Sequence, residues 1–369
     1  MTSTYIREAL DLARKGRSLA SPNPLVGAVL VRDGEVVGRG FHTYAGRHHA
    51  EIIALAQAGE KARGATMYLN LEPCSHHGRT PPCVDALIQA GVVRVVAPVT
   101  APNPLVAGEG FAKLRAAGVE VEIPAQFVEE AEKLNEAFLH FMRTGRPLVT
   151  LKTAITLDGK ISAPDDNRGW ITSERARAHV QELRHDSDAI LTGIGTVLAD
   201  DCLLSDRTGH PRCRPLLRIV MDSLLRLPLE SKMVRSAAGD LVVVATSAAP
   251  ADRRKLLEAR GVQVLVFDGP GGRADLRGGV DWLGRERYLS LMIEAGAKLN
   301  WSALETGVVD RIFFYYGPKI LGGLEALPLA GGIGRRRRSD AIQIHNISIH
   351  AIPPDEFAVE GYLDVHRNY

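Results

Sequence analysis

The residues best placed to do chemistry lie in the first quarter of the chain: His49-Ala50-Glu51, then Pro73-Cys74, then Cys83. One imidazole and two thiols form a zinc-binding set, and three protein ligands leave the fourth tetrahedral position open to water, as a catalytic zinc requires. Zinc would lower the pKa of that water toward neutrality. Glu51, left free of the metal, could carry protons to a leaving amine. The pattern points to hydrolytic deamination of a nitrogen heterocycle. It departs from the usual zinc-deaminase signature in its second cysteine spacing, where SHHGRTPP replaces two residues. The proline and glycine of that loop give it a fixed path back to the metal. His49 is preferred to His48 because only His49 makes H-x-E with Glu51. His48, His76 and His77 are rival ligands, and the loop histidines could instead touch substrate or solvent.

These groups need elements to hold them. Residues 49 to 58 suit a helix stopped at Gly59, and ATMYLNL reads as a strand running into Glu72-Pro73-Cys74. VDALIQAG is helical with Gly91 as its stop, and Pro82 places Cys83 at that helix's N-terminus. There the helix dipole favours a thiolate. Upstream, Ile6, Ala9, Leu10 and Ala13 repeat at helical spacing before Gly16, and LVGAVLVRDGEVVGRG predicts a hairpin turning at Asp33-Gly34. Between them, Ser21-Pro22-Asn23-Pro24 forms a rigid loop. The Asn23 amide there either reads a base edge or bonds its own backbone as a turn residue. VVRVVAPV, GFAKLRAAG and VEVEI continue as strand, helix and strand, and one helix is expected from about Val128 to Met142. Strand-helix alternation of this kind predicts a sheet between layers of helices. Thr144-Gly145-Arg146-Pro147 marks a boundary, giving expected domains at 1–145 and 146–369.

A second α/β pattern follows. PLVTLKTAITLDGKIS gives a strand and a turn at Asp158-Gly159, and SERARAHVQELRH a helix with Ser173 as its cap. AILTGIGTVLADD reads as a strand entering a glycine-bearing turn, Thr192-Gly193-Ile194-Gly195-Thr196, whose N–H groups could approach a phosphate. RIVMDS, LVVVAT, VQVLVF, LSLMIEAG and RIFFYYGPKI supply further strands, and ADRRKLLEARG a helix. DGPGGRADLRGGVD reads as a surface loop by composition. There is no G-x-G-x-x-G after a strand, which argues against an ordinary Rossmann dinucleotide site. Lys152, Arg168, Arg184 and Arg207, each taken alone, read as solvated surface charges. Cys202 and Cys213 read as reduced thiols without chemistry.

Composition bounds the alternatives. A chain of 369 residues, 45% hydrophobic and 24% charged, is long enough to bury a core in each of two domains. Its net charge of +2 implies no general affinity for nucleic acid or anionic membranes. The run Arg335 to Arg338 has the look of a nucleic-acid patch but reads as an exposed loop. The first residues form an amphipathic pattern rather than a signal peptide, and no apolar run reaches membrane-spanning length. Four cysteines fit a reducing cytoplasm better than a disulfide framework.

Over nearly its whole length the chain resembles the bifunctional riboflavin-biosynthesis deaminase-reductases. The resemblance rests on SPNPLVGAVLV, HHAEIIAL, LEPCSHHGRTPPC, APNPLVAGEG, LKTAITLDGKI, WITS and TVLADD. It implies an α/β protein: an N-terminal cytidine-deaminase-like αβα domain and a C-terminal dihydrofolate-reductase-like domain that uses NADPH. It implies deamination of 2,5-diamino-6-(5-phosphoribosylamino)pyrimidin-4-one, then reduction of the product's ribosyl group to ribityl. By this resemblance His49, Cys74 and Cys83 hold one zinc ion per deaminase site and Glu51 shuttles protons. Ala154, Trp170, Thr196, Asp200 and Ser223 match NADPH-contacting positions, and Arg168, Arg184, Leu204, Arg207 and Glu294 match substrate-contacting ones. Lys152 stands beside that set and is expected to orient the ribose, while Asp200 suits a ribose or nicotinamide group rather than a phosphate. A cytoplasmic homo-oligomer assembled through the reductase domains is implied, with no nucleic-acid or membrane partner.

One stretch departs from the family pattern. After Glu294 the family usually continues Gly-Gly-Pro-Thr or Ala-Gly-Pro-Thr, whereas this chain reads Ala295-Gly296-Ala297-Lys298-Leu299-Asn300. The change removes a rigid turn and a hydroxyl donor and adds a positive charge. Backbone N–H groups from Gly296 to Asn300 can still meet the cofactor phosphates. The departure motivates an alternative in which the C-terminal half no longer reduces and only the deaminase works. A nucleic-acid-binding deaminase using Arg335 to Arg338 is the other alternative.

Overall fold

The computed structural model describes residues 2–46, 48–76, 81–102, 107–165 and 169–363. They fall into two compact units, one of residues 1–145 with 211–214 and the other of 146–210 with 215–369.

In the first unit the order is α1 (Thr2–Arg14), β1 (Gly27–Arg32), β2 (Glu35–Phe41), α2 (Ala50–Ala58), β3 (Thr66–Leu69), α3 (Cys83–Gln89), β4 (Arg94–Val96), α4 (Glu109–Ala116), β5 (Glu120–Glu122), α5 (Val128–Leu134) and α6 (Glu136–Thr144). The five-stranded sheet runs β2-β1-β3-β4-β5, antiparallel through β2, β1 and β3 and parallel thereafter. Strand β1 explains the layering. Ala28 and Leu30 point into a core shared with α2, α3 and α4, while Val29 and Val31 point into another with α1 and α5. A strand buried on both faces needs the continuous apolar run GAVLV. Asp33 and Gly34 turn the hairpin with φ of 52° and 82°, as Asp-Gly in a tight turn should. Gly38 and Gly40 let α2 lie close on β2: a Cβ at either would sit 2.1 Å from a carbonyl oxygen of that helix.

The single helix expected from Val128 is two, α5 and α6, broken at Asn135. The buried Asn135 side chain reaches across to Leu25, accepting its N–H at 2.8 Å and donating to its carbonyl at 2.9 Å.

The second unit continues with β6 (Leu148–Thr156), β7 (Lys160–Ser162), α7 (Glu174–Asp186), β8 (Ala189–Gly193), α8 (Ile194–Asp200), β9 (Leu217–Met221), α9 (Lys232–Arg235), β10 (Leu241–Ala245), α10 (Ala251–Glu258), β11 (Gln263–Val266), α11 (Leu276–Arg285), β12 (Ser290–Ile293), α12 (Ala297–Glu305), β13 (Arg311–Gly317), β14 (Leu327–Pro328), β15 (Ile344–Ile352) and β16 (Glu356–Leu363). Its nine-stranded sheet runs β11-β10-β9-β8-β12-β6-β13-β16-β15. The strands from β11 to β13 are parallel, and β16 and β15 close the edge antiparallel. This is the α/β architecture the dihydrofolate-reductase-like resemblance implied. Strand β12 inserts between β8 and β6, so the chain reverses its direction of travel there, the place where sheets of this kind bind their ligands. The ends of β8, β9 and β12 lead directly into Thr196, Ser223 and Glu294.

Ser173 caps α7 as expected, its side chain accepting the Ala176 N–H. Two expectations fail. The glycine-bearing stretch after β8 is a helix, α8, rather than a turn. The tract read as surface loop contains the start of α11, capped by the Asp275 side chain accepting the Arg277 N–H. Glycines at 278 and 279 disguise a helix whose buried face, Leu276, Val280 and Leu283, packs on the sheet.

Candidate active sites

The first site is assembled by two helix starts. His49 is the N-cap residue of α2, which places Glu51 in the first turn, and Cys83 opens α3 directly after Pro82. Cys74 arrives on the loop that leaves β3. The ligand atoms of His49, Cys74 and Cys83 all lie within 4.8 Å of one another, the one such group among the described residues. His49 Nδ1 is 3.1 Å from Cys83 Sγ and 3.5 Å from Cys74 Sγ. The Cys83 N–H donates to Cys74 Sγ at 3.3 Å.

Electrostatics fit a cation at this point. Two sulfurs this close share a proton: the hydrogen bond from Cys83 holds the Cys74 thiol down at about 4, and the same contact pushes Cys83 up. A metal ion resolves that conflict by displacing both protons. Glu51 is buried, burial raises its carboxyl pKa, and its Oε2 has no hydrogen-bond partner. A buried, unpaired carboxylate oxygen is costly unless something comes to meet it. The donor set and the orphaned oxygen together suit a zinc ion and the water it would hold. His48 and His76 are exposed and stand outside the ligand group. His77 lies outside the described residues.

Asn23 is held by His42. Its Nδ2 lies 2.9 Å from Nε2 of His42, whose Nδ1 lies 2.9 Å from the His48 carbonyl. Asn70 secures the same loop, its Oδ1 accepting the Gly27 N–H and its Nδ2 donating to the Leu25 carbonyl. His42, Asn70 and Asn135 escaped the sequence reading. A buried His and two buried Asn beside a Pro-rich loop carry no spacing signal of their own. Glu72 also escaped: its carboxylate accepts N–H groups of Ala101, Gly108 and Phe111, tying the following loop to β3.

The second site centres on Glu294, at the end of β12. Arg184 of α7 grips its carboxylate with two N–H groups at 2.9 and 3.1 Å, and Lys152 Nζ of β6 meets the same carboxylate at 3.0 Å. Lys152 and Arg184 are therefore buried, not the solvated surface charges they read as singly. Their pairing explains the difference, since a cation leaves water only where a counter-charge and hydrogen bonds await it. Burial alone would raise the Glu294 carboxyl, but Lys152 and Arg184 outweigh it and hold it at about 2. Burial lowers the Lys152 pKa.

Around this cluster, Leu204 is buried with φ of 50° and Arg207 is exposed. Ala154 is half-buried on β6, Asp200 is exposed at the end of α8, and Ser223 Oγ accepts the Ala274 N–H at 2.9 Å. Trp170 is 66% exposed and stacks under the Arg177 guanidinium at 4.7 Å. Thr196 and Gly296 are neighbours: a Cβ on Gly296 would lie 3.9 Å from Thr196 Oγ1. The N–H groups of Leu299 and Asn300 both donate to the Gly296 carbonyl at 3.1 Å. Those of Ala297 and Lys298 open the helix and have no acceptor within it. The Asn300 side chain turns inward, donating to the Leu329 carbonyl at 2.8 Å. Arg168 lies outside the described residues. Arg335 to Arg338 are exposed, with Arg335 over the Trp301 ring at 5.6 Å.

Comparison with known proteins assigns both halves of the chain. Residues 1–99 match the cytidine and deoxycytidylate deaminase zinc-binding region, and residues 147–355 match the RibD C-terminal domain. The riboflavin biosynthesis protein RibD of Actinobacillus pleuropneumoniae is 43% identical over 351 residues, covering 95% of this chain and 93% of its own. The chain belongs to the RibD family. The RibD of Escherichia coli is likewise 43% identical, over 95% of this chain and 96% of its own. Acinetobacter baumannii RibD superposes with a TM-score of 0.86 at 36% identity, covering 98% of both chains. A Thermotoga maritima protein described as a diaminohydroxyphosphoribosylaminopyrimidine deaminase and 5-amino-6-(5-phosphoribosylamino)uracil reductase gives 0.81 at 32% identity, again over 98% of both. RibD membership makes the chain a riboflavin-biosynthesis enzyme that joins a zinc-binding deaminase domain to a reductase domain. No described helix is long and apolar enough to cross a membrane.

Proposed function

We propose that the first site hydrolyses the amine of 2,5-diamino-6-(5-phosphoribosylamino)pyrimidin-4(3H)-one, and that the second reduces the ribosyl group of the resulting 5-amino-6-(5-phosphoribosylamino)uracil to ribityl at the expense of NADPH. The observation that carries the reading is the convergence of His49, Cys74 and Cys83 beside the buried carboxylate of Glu51, whose Oε2 has no hydrogen-bond partner.

His49, Cys74 and Cys83 hold zinc, which when bound lowers the pKa of water toward neutrality. Glu51 takes a proton from the attacking water and delivers it to the pyrimidine side, so that the amine leaves as ammonia and a carbonyl remains. Its burial suits that task, because burial raises its carboxyl pKa and so favours holding the proton until the amine takes it. Asn23 holds the pyrimidine edge through its amide.

In the second unit NADPH supplies hydride. The Ala297 and Lys298 N–H groups at the start of α12, with the Lys298 ammonium, would hold its phosphates. Thr196 adjoins that helix start, while Ala154, Trp170, Asp200 and Ser223 contribute to the remainder of the cofactor site. Lys152 and Glu294 orient the ribose hydroxyls, with Arg184 fixing the carboxylate. Leu204 and Arg207 contact the ribotide, Arg207 meeting its phosphate, and Arg168 joins this set. The protein works as a cytoplasmic homo-oligomer joined through its reductase units. Mass analysis of the products tests the reading: the uracil ribotide should form without NADPH, and the ribityl compound only when NADPH is added. Recovery of unchanged diaminopyrimidine from zinc-loaded protein would overturn it.

A further inference from the structure

The segment after α8 carries Leu204 and Arg207, and a leucine at φ of 50° occupies a region that side chains with a Cβ avoid. Such a conformation persists only where its surroundings over-determine it. Leu204 itself is buried among Ile190, Ile194, Val197 and Leu216, and the three residues after it are held by one face of α7. Gln181, Arg184 and His185 stand at helical i, i+3, i+4 spacing, and each takes hold of a successive residue of the segment. Arg184 Nη1 donates to the Ser205 carbonyl at 3.0 Å, His185 Nδ1 lies 2.8 Å from Asp206 Oδ2, and Gln181 Oε1 accepts the Arg207 N–H at 3.0 Å.

The middle contact is the only one of the three that pairs two side chains which both can ionise. Both are buried, at 7% and 8% exposure, although Asp206 directly precedes the exposed Arg207. The other Asp206 oxygen accepts the Thr208 N–H at 2.9 Å and its hydroxyl at 2.8 Å, so the carboxylate also fixes the turn beyond Arg207. The His210 ring packs edge-on against His185 at 5.5 Å. Burial would raise the Asp206 carboxyl, but these hydrogen bonds and His185 hold it at about 2, so it stays a carboxylate at any working pH.

We infer that His185 and Asp206 are positioning residues of the reductase: their pairing locks the Leu204–Arg207 segment onto α7 and so presents the exposed Arg207 guanidinium to the substrate phosphate. This rests on the reading above that Arg207 meets that phosphate. Neither residue touches the reacting atoms. Their effect falls on binding of the phosphorylated substrate rather than on hydride transfer or NADPH. Breaking a buried charged hydrogen bond of this kind should weaken substrate binding about tenfold.

The test uses the full zinc-loaded chain and 5-amino-6-(5-phosphoribosylamino)uracil, comparing Asp206→Asn, His185→Asn, Arg207→Ala and the Asp206→Asn/Arg207→Ala double variant. Each single variant should raise KM for the ribotide about tenfold, with kcat and the KM for NADPH nearly unchanged. The double variant should be no worse than Arg207→Ala, because the clamp acts through Arg207. Deaminase turnover of the same samples reports that the rest of the chain is intact, and His185→Asn carries the same prediction should Asp206→Asn fail to fold. An unchanged ribotide KM in Asp206→Asn and His185→Asn, beside a raised one in Arg207→Ala, overturns the clamp while leaving the site standing. Additive losses in the double variant, or a parallel loss in kcat and NADPH binding, mark a merely structural role and overturn it too. An unchanged KM in Arg207→Ala refutes the phosphate reading itself, and the clamp with it.

Discussion

Asn23 Nδ2 and His42 Nε2 lie 2.9 Å apart, and the direction of that hydrogen bond is fixed from the far side of the imidazole. His42 Nδ1 is 2.9 Å from the His48 carbonyl, which can only accept, so Nδ1 carries the proton. Burial lowers the His42 pKa and keeps the ring neutral, which leaves Nε2 an acceptor for the Asn23 amide. With its Nδ2 on His42, Asn23 has its carbonyl oxygen to offer an amino group of the proposed pyrimidine substrate. His42→Ala should lower kcat/KM for deamination about tenfold through loss of this alignment, with reductase turnover unchanged. Unaltered deamination in that variant would mean that Asn23 is held by other means.

Glu51→Gln keeps the shape of the side chain and removes its proton chemistry. The variant should bind zinc as the parent does while deamination falls by about three orders of magnitude. Metal content by atomic absorption and ammonia release together decide this. Normal turnover with full zinc would remove Glu51 from the proton path.

Cys83→Ser exchanges a thiolate ligand for a hydroxyl at a buried helix start. Zinc content should drop well below one ion per chain and deamination should vanish, while NADPH oxidation with preformed uracil ribotide continues. Undiminished zinc in the variant would move the ligand elsewhere, with His76 and His77 next to be tested.

Acid should loosen the second unit through Glu294. Its ordinary pKa of 4.5 falls to about 2 in the folded chain, so the unfolded chain takes up the proton first. The stability it contributes is complete above pH 4.5 and is lost as pH falls from there toward 2. All three tryptophans, Trp170, Trp282 and Trp301, lie in the second unit, so their fluorescence reports its unfolding separately from the deaminase. Glu294→Gln should be less stable at neutral pH, leaving Lys152 and Arg184 without their counter-charge, and should flatten the acid dependence. An equally steep acid transition in that variant would assign the effect to other carboxylates.

The convergence of His49, Cys74 and Cys83 was legible in the sequence because its signal is local: H-x-E at a helix start, and Pro-Cys and Pro-Cys at the ends of one loop. The residues that aim it were not, because their partners are distant. Leu25 and Asn135 meet across 110 positions of chain, and nothing in either residue announces the other. Lys152, Arg184 and Glu294 show the same limit from the other side. Each charge alone reads as solvated, and only the sheet order that sets β12 between β8 and β6 turns them into a buried cluster. Glycine misled twice, hiding α8 behind Gly193 and Gly195 and α11 behind Gly278 and Gly279. The closing pair β15 and β16 was invisible for another reason. A bulge between His345 and Ser348, with Asn346 at φ of 47°, breaks the alternation by which a strand is recognised.

Two active sites acting in sequence on one ribotide must show as a coupled time course. Zinc-loaded protein is given the diaminopyrimidine ribotide and NADPH, and ammonia release and NADPH oxidation are followed in the same sample. Ammonia should appear first, NADPH oxidation should follow after a lag, and both should end at equal amounts. Ammonia without NADPH consumption would contradict it, leaving a deaminase joined to a domain that no longer reduces.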